Sequence, residues 1–274
     1  MRSTTSLLLV LALLILTGCS AFGEKEDETL SWSPSKFYSE AKSALDADDY
    51  EKAIEYYEKL QARYPFGTYA QQAQLDMAYA YYKSDEPESA IAAADRYIKL
   101  YPSDPHVDYA YYLKGLTNFN RGSGFLEGLL PTDRSQRDPG AAKNSFADFS
   151  TLVNRYPGSI YAEDSRLRMI YLRNNLSMYE VHVANYYMKR KAYLAAANRA
   201  ENVVKNFQET PAVPYALRVM TNAYQAMDMP VLAKDADRVL AQNFPEHPSH
   251  TQGAMLPKVE HKGLFSFLGV LDEN

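Results

Sequence analysis

Apolar residues recur along this chain three or four apart, and sustained alternation of apolar and polar positions is not the rule. Leu75, Ala78, Tyr79 and Tyr82 share one helical face, and Leu217, Met220, Thr221 and Tyr224 share another. Short breaks separate such stretches. "ARYP" ends at Pro65, "KLYP" at Pro102, "NRYP" at Pro157, "KNFQ" at Gln208 and "QNFP" at Pro245. The third place is always aromatic: Tyr64, Tyr101, Tyr156, Phe207 and Phe244. Twelve positions before the fourth place stand the small residues Ala53, Ala90, Ser145, Ala196 and Ala233. Five before it stand Leu60, Tyr97, Leu152, Val203 and Leu240, all suited to burial. The aromatic places lie 37, 55, 51 and 37 residues apart. The pattern predicts an all-α solenoid of ten main helices in five antiparallel pairs, because one pair cannot bury its apolar face without neighbours. The pairs fall at about 34–66, 67–102, 103–157, 158–208 and 209–245.

The small-residue column and the closing proline resemble the tetratricopeptide repeat, in which the small side chain lets the second helix approach the first. Proline ends the unit because it lacks an N–H and clashes with the preceding turn. Asp48-x-x-Glu51 and Asp85-x-x-Glu88 read as capping boxes for the second helices. Asp138-Pro139 reads as a cap with proline in the first helical place, and Asp228 before Pro230 similarly. Two units carry insertions. Asn120 to Gly140 is glycine-rich, with an apolar patch of Phe125, Leu126, Leu129 and Leu130; it is either a functional loop or one that folds its leucines back on the solenoid. In the fourth unit, "RNNLSMYEVHVANYYMKRKAY" is expected to lengthen both helices.

The N-terminus changes the picture from a soluble repeat protein to a tethered one. Arg2, an apolar run from Leu7 to Leu16 and the small residues after it form the layout of a secretory signal peptide over 1–18. The run is shorter than the roughly 20 residues that a spanning helix needs. Leu16-Thr17-Gly18-Cys19 resembles the bacterial lipobox, and Cys19 is the only cysteine. An ordinary signal peptide beside a chance cysteine is the alternative. A lone thiol excludes an internal disulfide and argues against a redox pair. Acyl chains on Cys19 would each contribute roughly 0.8 kcal/mol per buried CH₂. Residues 19–33 are then a flexible tether, with Trp32 expected to pack at the edge of the body. The tail, 246–274, carries the apolar stretch Gly263 to Leu271, which either caps the last repeat or docks on a partner.

Charge and chemistry add mostly exclusions. With 29 basic and 34 acidic residues and no basic block, the chain is a poor nucleic-acid binder. No phosphate loop, nucleophile elbow or HExxH motif is present, and the five histidines are scattered. The chain reads as non-enzymatic, without metal or cofactor, unless a constellation assembles across the insertions. "DPHVD", Asp104 to Asp108, suits helix capping better than a metal. Tyrosine is the oddity, at 23 copies. Most are expected to pack between repeats, with the remainder lining a groove for peptides.

Four longer stretches carry a more specific resemblance: "ARYPFGTYAQQAQLDMAYAYYK", "HVDYAYYLKGL", "DRSQRDPGAAKNSFADFSTLVNRYPGSIYAEDS" and "LRNNLSMYEVHVANYYMKRKAYLAAANR". Together with the lipobox they resemble the BamD family of the outer-membrane β-barrel assembly machinery, over about residues 30 to 245. Ser20 after the cysteine resembles the outer-membrane class of Gram-negative lipoproteins. The resemblance implies a periplasmic-face lipoprotein that binds the barrel protein BamA through its C-terminal repeats, within a complex of other lipoproteins. It also implies that the N-terminal repeats receive unfolded outer-membrane proteins. Arg63, Tyr64 and Tyr69 are then candidate substrate contacts and Arg199 a candidate BamA contact. Each has a plainer alternative: Tyr64 packs in the aromatic column and Arg199 is a solvated helix charge. A different periplasmic repeat lipoprotein, organising cell-wall enzymes, shares the anchor and repeats but does not explain the four stretches.

Overall fold

The computed structural model describes residues 28–121 and 133–257. The signal peptide, Cys19, the leucine patch of the first insertion and the stretch Gly263 to Leu271 lie outside the described residues. Among the described residues ten main helices follow one another: α1 (Pro34–Asp46), α2 (Tyr50–Arg63), α3 (Thr68–Lys83), α4 (Pro87–Leu100), α5 (Val107–Asn120), α6 (Gly140–Arg155), α7 (Ala162–Lys189), α8 (Tyr193–Asn206), α9 (Val213–Ala226) and α10 (Pro230–Asn243). A short α11 (Pro248–Thr251) follows. Each helix packs on the next, giving five pairs, and the first helices of neighbouring pairs also meet: α1 with α3, α3 with α5, α7 with α9.

The two residue columns read from the sequence form the interior. Ala53, Ala90, Ser145, Ala196 and Ala233 are all buried, as are Leu60, Tyr97, Leu152, Val203 and Leu240. The aromatic column occupies the C-caps of α2, α4, α6, α8 and α10. Each of these five residues donates its N–H to the carbonyl four places back. Phe207 takes the same conformation as the others although glutamine follows it. Packing of the ring, rather than the proline, therefore sets that turn.

The capping expectation needs correction. Asp48, Asp85 and Asp228 have positive φ, and so does Lys191 at the equivalent place. The next residue in each case donates to a carbonyl five back: Asp49 to Ala44, Glu86 to Tyr81, Ala192 to Tyr187, Met229 to Tyr224. This is a left-handed Schellman close of the first helix, not a cap of the second. Aspartate tolerates that region because its short side chain bonds locally. The cap of α2 is Asp49, whose carboxylate accepts from Lys52 N. Pro139, not Asp138, precedes α6, and Asp138 accepts from Gly140 N at 3.2 Å.

In the third pair the close approach is carried from the α5 side. Gly115 is buried against Phe149 of α6, and Ser145 Oγ donates to its carbonyl at 2.8 Å. A methyl group there would overlap the Phe149 ring, which is itself fully buried. Gly115→Ala is expected to destabilise by about 1–3 kcal/mol, outweighing a helix-propensity gain of about 1 kcal/mol. Urea unfolding of the variant checks this. The second insertion is also corrected: it lengthens α7 to 28 residues, while α8 keeps 14.

The tether does not stay free as far as residue 33. Glu28–Ser31 form a 3-10 turn, and Trp32 packs on Phe37 and Tyr56, each at 5.2 Å between ring centres. Trp32 thus packs at the body's edge. The tail likewise begins inside the fold: Ala254, Met255 and Leu256 lie against the core of the last two pairs.

Candidate functional site

The three N-terminal candidates sit around the turn from α2 into α3, and they have different roles in the geometry. Arg63, last in α2, lays its guanidinium over the Phe37 ring at 5.1 Å and donates to the Thr29 carbonyl. Tyr64 donates its hydroxyl to the Trp32 carbonyl at 2.9 Å. Both therefore hold the chain that leads into the first repeat. Tyr69 opens outward from α3, 40% exposed, with its ring 5.5 Å from Tyr38. These two tyrosines line an open groove of 790 Å³ with Lys36, Lys42 and Asp46. Phe66, in the turn that precedes α3, is 88% exposed, and the sequence reading did not single it out. Its signal was available: an aromatic directly after the helix-ending proline and before Gly67, whose φ of +102° turns the chain into α3.

Behind the groove, Asp76 of α3 accepts from Tyr38 of α1 at 2.9 Å and from Tyr57 of α2 at 3.1 Å. Burial, then the Asp76 charge, raises the pKa of both phenols, so they remain neutral donors. The same device recurs. Tyr81 donates to Glu58 at 2.8 Å, Tyr97 to Asp104 at 2.6 Å, and Tyr112 to Asp164 at 2.8 Å. Many tyrosines thus do more than pack or line a groove; their hydroxyls tie one element to a carboxylate on another. Asp104 also accepts from His106 N at 2.7 Å. Burial would raise its pKa, but the bonds from Tyr97 and His106 hold it below the usual carboxylate range. "DPHVD" therefore makes a turn around one carboxylate, and no three His, Cys, Asp or Glu among the described residues are placed to hold a metal.

Arg199, on α8, pairs with Glu180 of α7 at 3.0 Å. The arginine side chain is 46% exposed and the glutamate 10%. The hydrogen bond and charge of Glu180 push the guanidinium pKa further up. Arg199 is thus neither a solvated charge nor wholly free for a partner: one edge serves the fold and the remainder faces outward.

One constellation does assemble across the first insertion. His182 Nε2 of α7 lies 3.0 Å from Ser135 Oγ and 3.3 Å from Asp133 Oδ2. Ser135 Oγ lies 2.6 Å from Asp133 Oδ1 and donates to it. A nucleophilic triad needs the acid on the far ring nitrogen and the serine proton directed to the imidazole. Here both partners meet the same nitrogen and the serine proton goes to the aspartate. The cluster clamps the end of the insertion onto α7. Burial would raise the Asp133 pKa, but bonds from Ser135 and Gln136 and the neighbouring His182 lower it.

No helix among the described residues is long and apolar enough to cross a membrane. A family model described as YfiO, outer membrane lipoprotein, matches residues 31–240. The chain is 44% identical over 238 residues to a Neisseria meningitidis serogroup B protein named outer membrane protein assembly factor BamD, covering 86% of this chain and 89% of that one. Proteins of the same name from Vibrio cholerae and Haemophilus influenzae are 40% and 32% identical, over 80% and 89% of this chain and 90% and 92% of theirs. By sequence, the chain belongs to the YfiO family of outer membrane lipoproteins.

Proposed function

We propose that this protein is a lipid-anchored assembly factor for outer-membrane proteins. It is a non-catalytic scaffold on the periplasmic face that joins a BamA-like barrel protein and other lipoproteins of its complex, and receives unfolded outer-membrane chains. The observation that carries this reading is the family match over 31–240 together with relatives named as assembly factors across most of the chain. It favours this reading over a scaffold for cell-wall enzymes. In this division residues 1–18 are removed, Cys19 carries the lipid, and a tether runs from it to the pinned turn at Glu28. The solenoid, 34–245, carries the binding surfaces, and 246–274 extends beyond it.

Two surfaces at opposite ends of the chain suit two partners. The groove at Tyr38 and Tyr69, with the exposed Phe66 three residues before Tyr69 in the chain, offers large apolar contact with polar tips, which fits an extended aromatic-ended segment. Arg63 and Tyr64 give that edge its shape by fixing the incoming chain, and offer their outer edges to the same ligand. The exposed side of Arg199 suits a carboxylate on the barrel partner. Cys19→Ala should abolish incorporation of labelled lipid and release the protein from membranes. Wild-type protein, purified in detergent, should bring down a BamA-like barrel protein, and its depletion should lower barrel-protein levels. Recovery of cell-wall enzymes instead, with barrel levels unchanged, would overturn the assembly reading.

A further inference from the structure

The tail shows what the surface between α7 and α9 accepts. After α11 the chain turns at Gly253, where φ is +70°, and runs back across the last two pairs. Asn185 of α7, 5% exposed, donates its amide to the Met255 carbonyl at 3.0 Å. Asn222 of α9 donates to the Met255 sulfur at 3.2 Å. Arg218 donates to the Ser249 carbonyl at 2.6 Å, which fixes where the segment starts. Met255 and Leu256 themselves pack on the core. Beyond Pro257 the groove opens into a cavity of 540 Å³ walled by Met178, Pro211, Pro214, Tyr215, Phe244 and His247.

A buried amide reading a main-chain carbonyl, a second amide on the side chain and an adjoining recess are elements of extended-peptide recognition. The residues that bond the tail, Asn185, Arg218 and Asn222, lie within the stretch matched by the family model, whereas the occupant lies beyond residue 240. We propose that the α7–α9 groove is a binding site for an extended neutral peptide with methionine- or leucine-sized side chains. The chain's own Ala254–Pro257 occupies it in cis. The cavity continues the site and takes the next side chain of the peptide. This site is independent of the N-terminal groove and does not rest on the function proposed above. A tethered occupant competes at a local concentration on the order of millimolar, so a peptide in trans binds only as the tail leaves.

The probe is a fluorescein-labelled peptide of residues 248–257, measured by anisotropy against the full chain in detergent. Met255→Asp/Leu256→Asp, which expels the tail, should tighten probe binding roughly tenfold or more over wild type. Adding Asn185→Leu should abolish that gain, and a probe with aspartate at its methionine should not bind. Equal binding by wild type and tail variant, or no gain in a variant with wild-type circular dichroism, overturns the proposal. Should the tail variant fail to fold, hydrogen exchange on wild type decides. Saturating probe should speed exchange at the Thr251 and Ala254 amides, which are bonded to His247 and Pro248 carbonyls. Unchanged exchange there overturns the site.

Discussion

Lys114→Met is expected to cost about 3 kcal/mol of unfolding free energy at pH 7, near the low end for breaking a buried ion pair. Lys114 of α5 lies 2.7 Å from Asp95 of α4 and 3.1 Å from Asp148 of α6. Lys114 and Asp148 side chains are 16% and 14% exposed, so water screens them little. The pin joins the second repeat to the third, and Asn118 adds a bond to Asp148 at 3.3 Å. The penalty arises less from the lost attraction than from the charge left behind. Burial already pushes the Asp148 pKa up, even with Lys114 beside it. Asp148→Leu in the same chain should therefore recover most of the loss.

The pH dependence follows from that sign. A carboxyl whose folded pKa is raised favours the fold below its unfolded value, about 3.9, and loses that contribution as pH rises through the folded value. Removing Lys114 pushes Asp148 further up. The deficit of Lys114→Met should thus be small near pH 4 and grow as pH rises above it. Lys114 has the complementary behaviour: burial lowers its pKa, but the two aspartates outweigh burial and raise it. Its contribution persists below about pH 10.4 and is lost only as pH climbs through the raised value. Urea unfolding of both variants across pH 4 to 7 measures the effect; a deficit independent of pH would remove Asp148 from the account.

Arg199→Glu is expected to lose partner capture and to destabilise the fourth repeat by about 2–4 kcal/mol, because it sets a second carboxylate beside a buried one. From sequence alone this substitution reads as a clean surface test; the pair with Glu180 means that it is not. The swapped variant Arg199→Glu/Glu180→Arg separates the two effects. It should restore stability, since the pair is re-formed with its poles exchanged. If the outward edge of Arg199 meets a carboxylate on the barrel partner, capture should stay weak in the swap. Full capture by the swap would confine Arg199 to its internal role. Detergent co-purification and urea unfolding together read both outcomes.

The fold was legible wherever a local rule governed it. The small column and its aliphatic partner column marked the crossing of each helix pair, because helical periodicity and side-chain volume are properties of a few neighbouring residues. Turn chemistry was less legible. Asp48 and Asp85 are compatible both with capping the next helix and with closing the last one. The choice between them depends on how the two helices meet. The length of α7 was misjudged in part because nothing local tells which helix of a pair absorbs an insertion.

The site was less legible than the fold. Arg63 and Tyr64 carry the groups that a substrate contact would need, yet they also anchor Thr29 and Trp32, more than thirty residues earlier. Phe66, two places on, keeps its ring in solvent. The tail was expected either to cap the last repeat or to dock on a partner. The apolar stretch on which that expectation rests, Gly263 to Leu271, lies outside the described residues; residues 254–256, nearer the fold, lie in a groove between two helices.

By itself, the amino-acid sequence determined that this is an all-helical repeat chain with an N-terminal signal and lipobox pattern, and it determined the residues that fill the interior. Those follow from periodicity, volume and local motif, each complete within a few turns of chain. Only the tertiary structure decided which polar groups are already engaged: Arg199 with Glu180, Lys114 with two aspartates, His182 with the end of an insertion, Asn185 with the tail. The physical reason is that a side chain's free valence depends on what the fold brings within hydrogen-bond reach, and those partners lie 19 to 70 residues away in sequence.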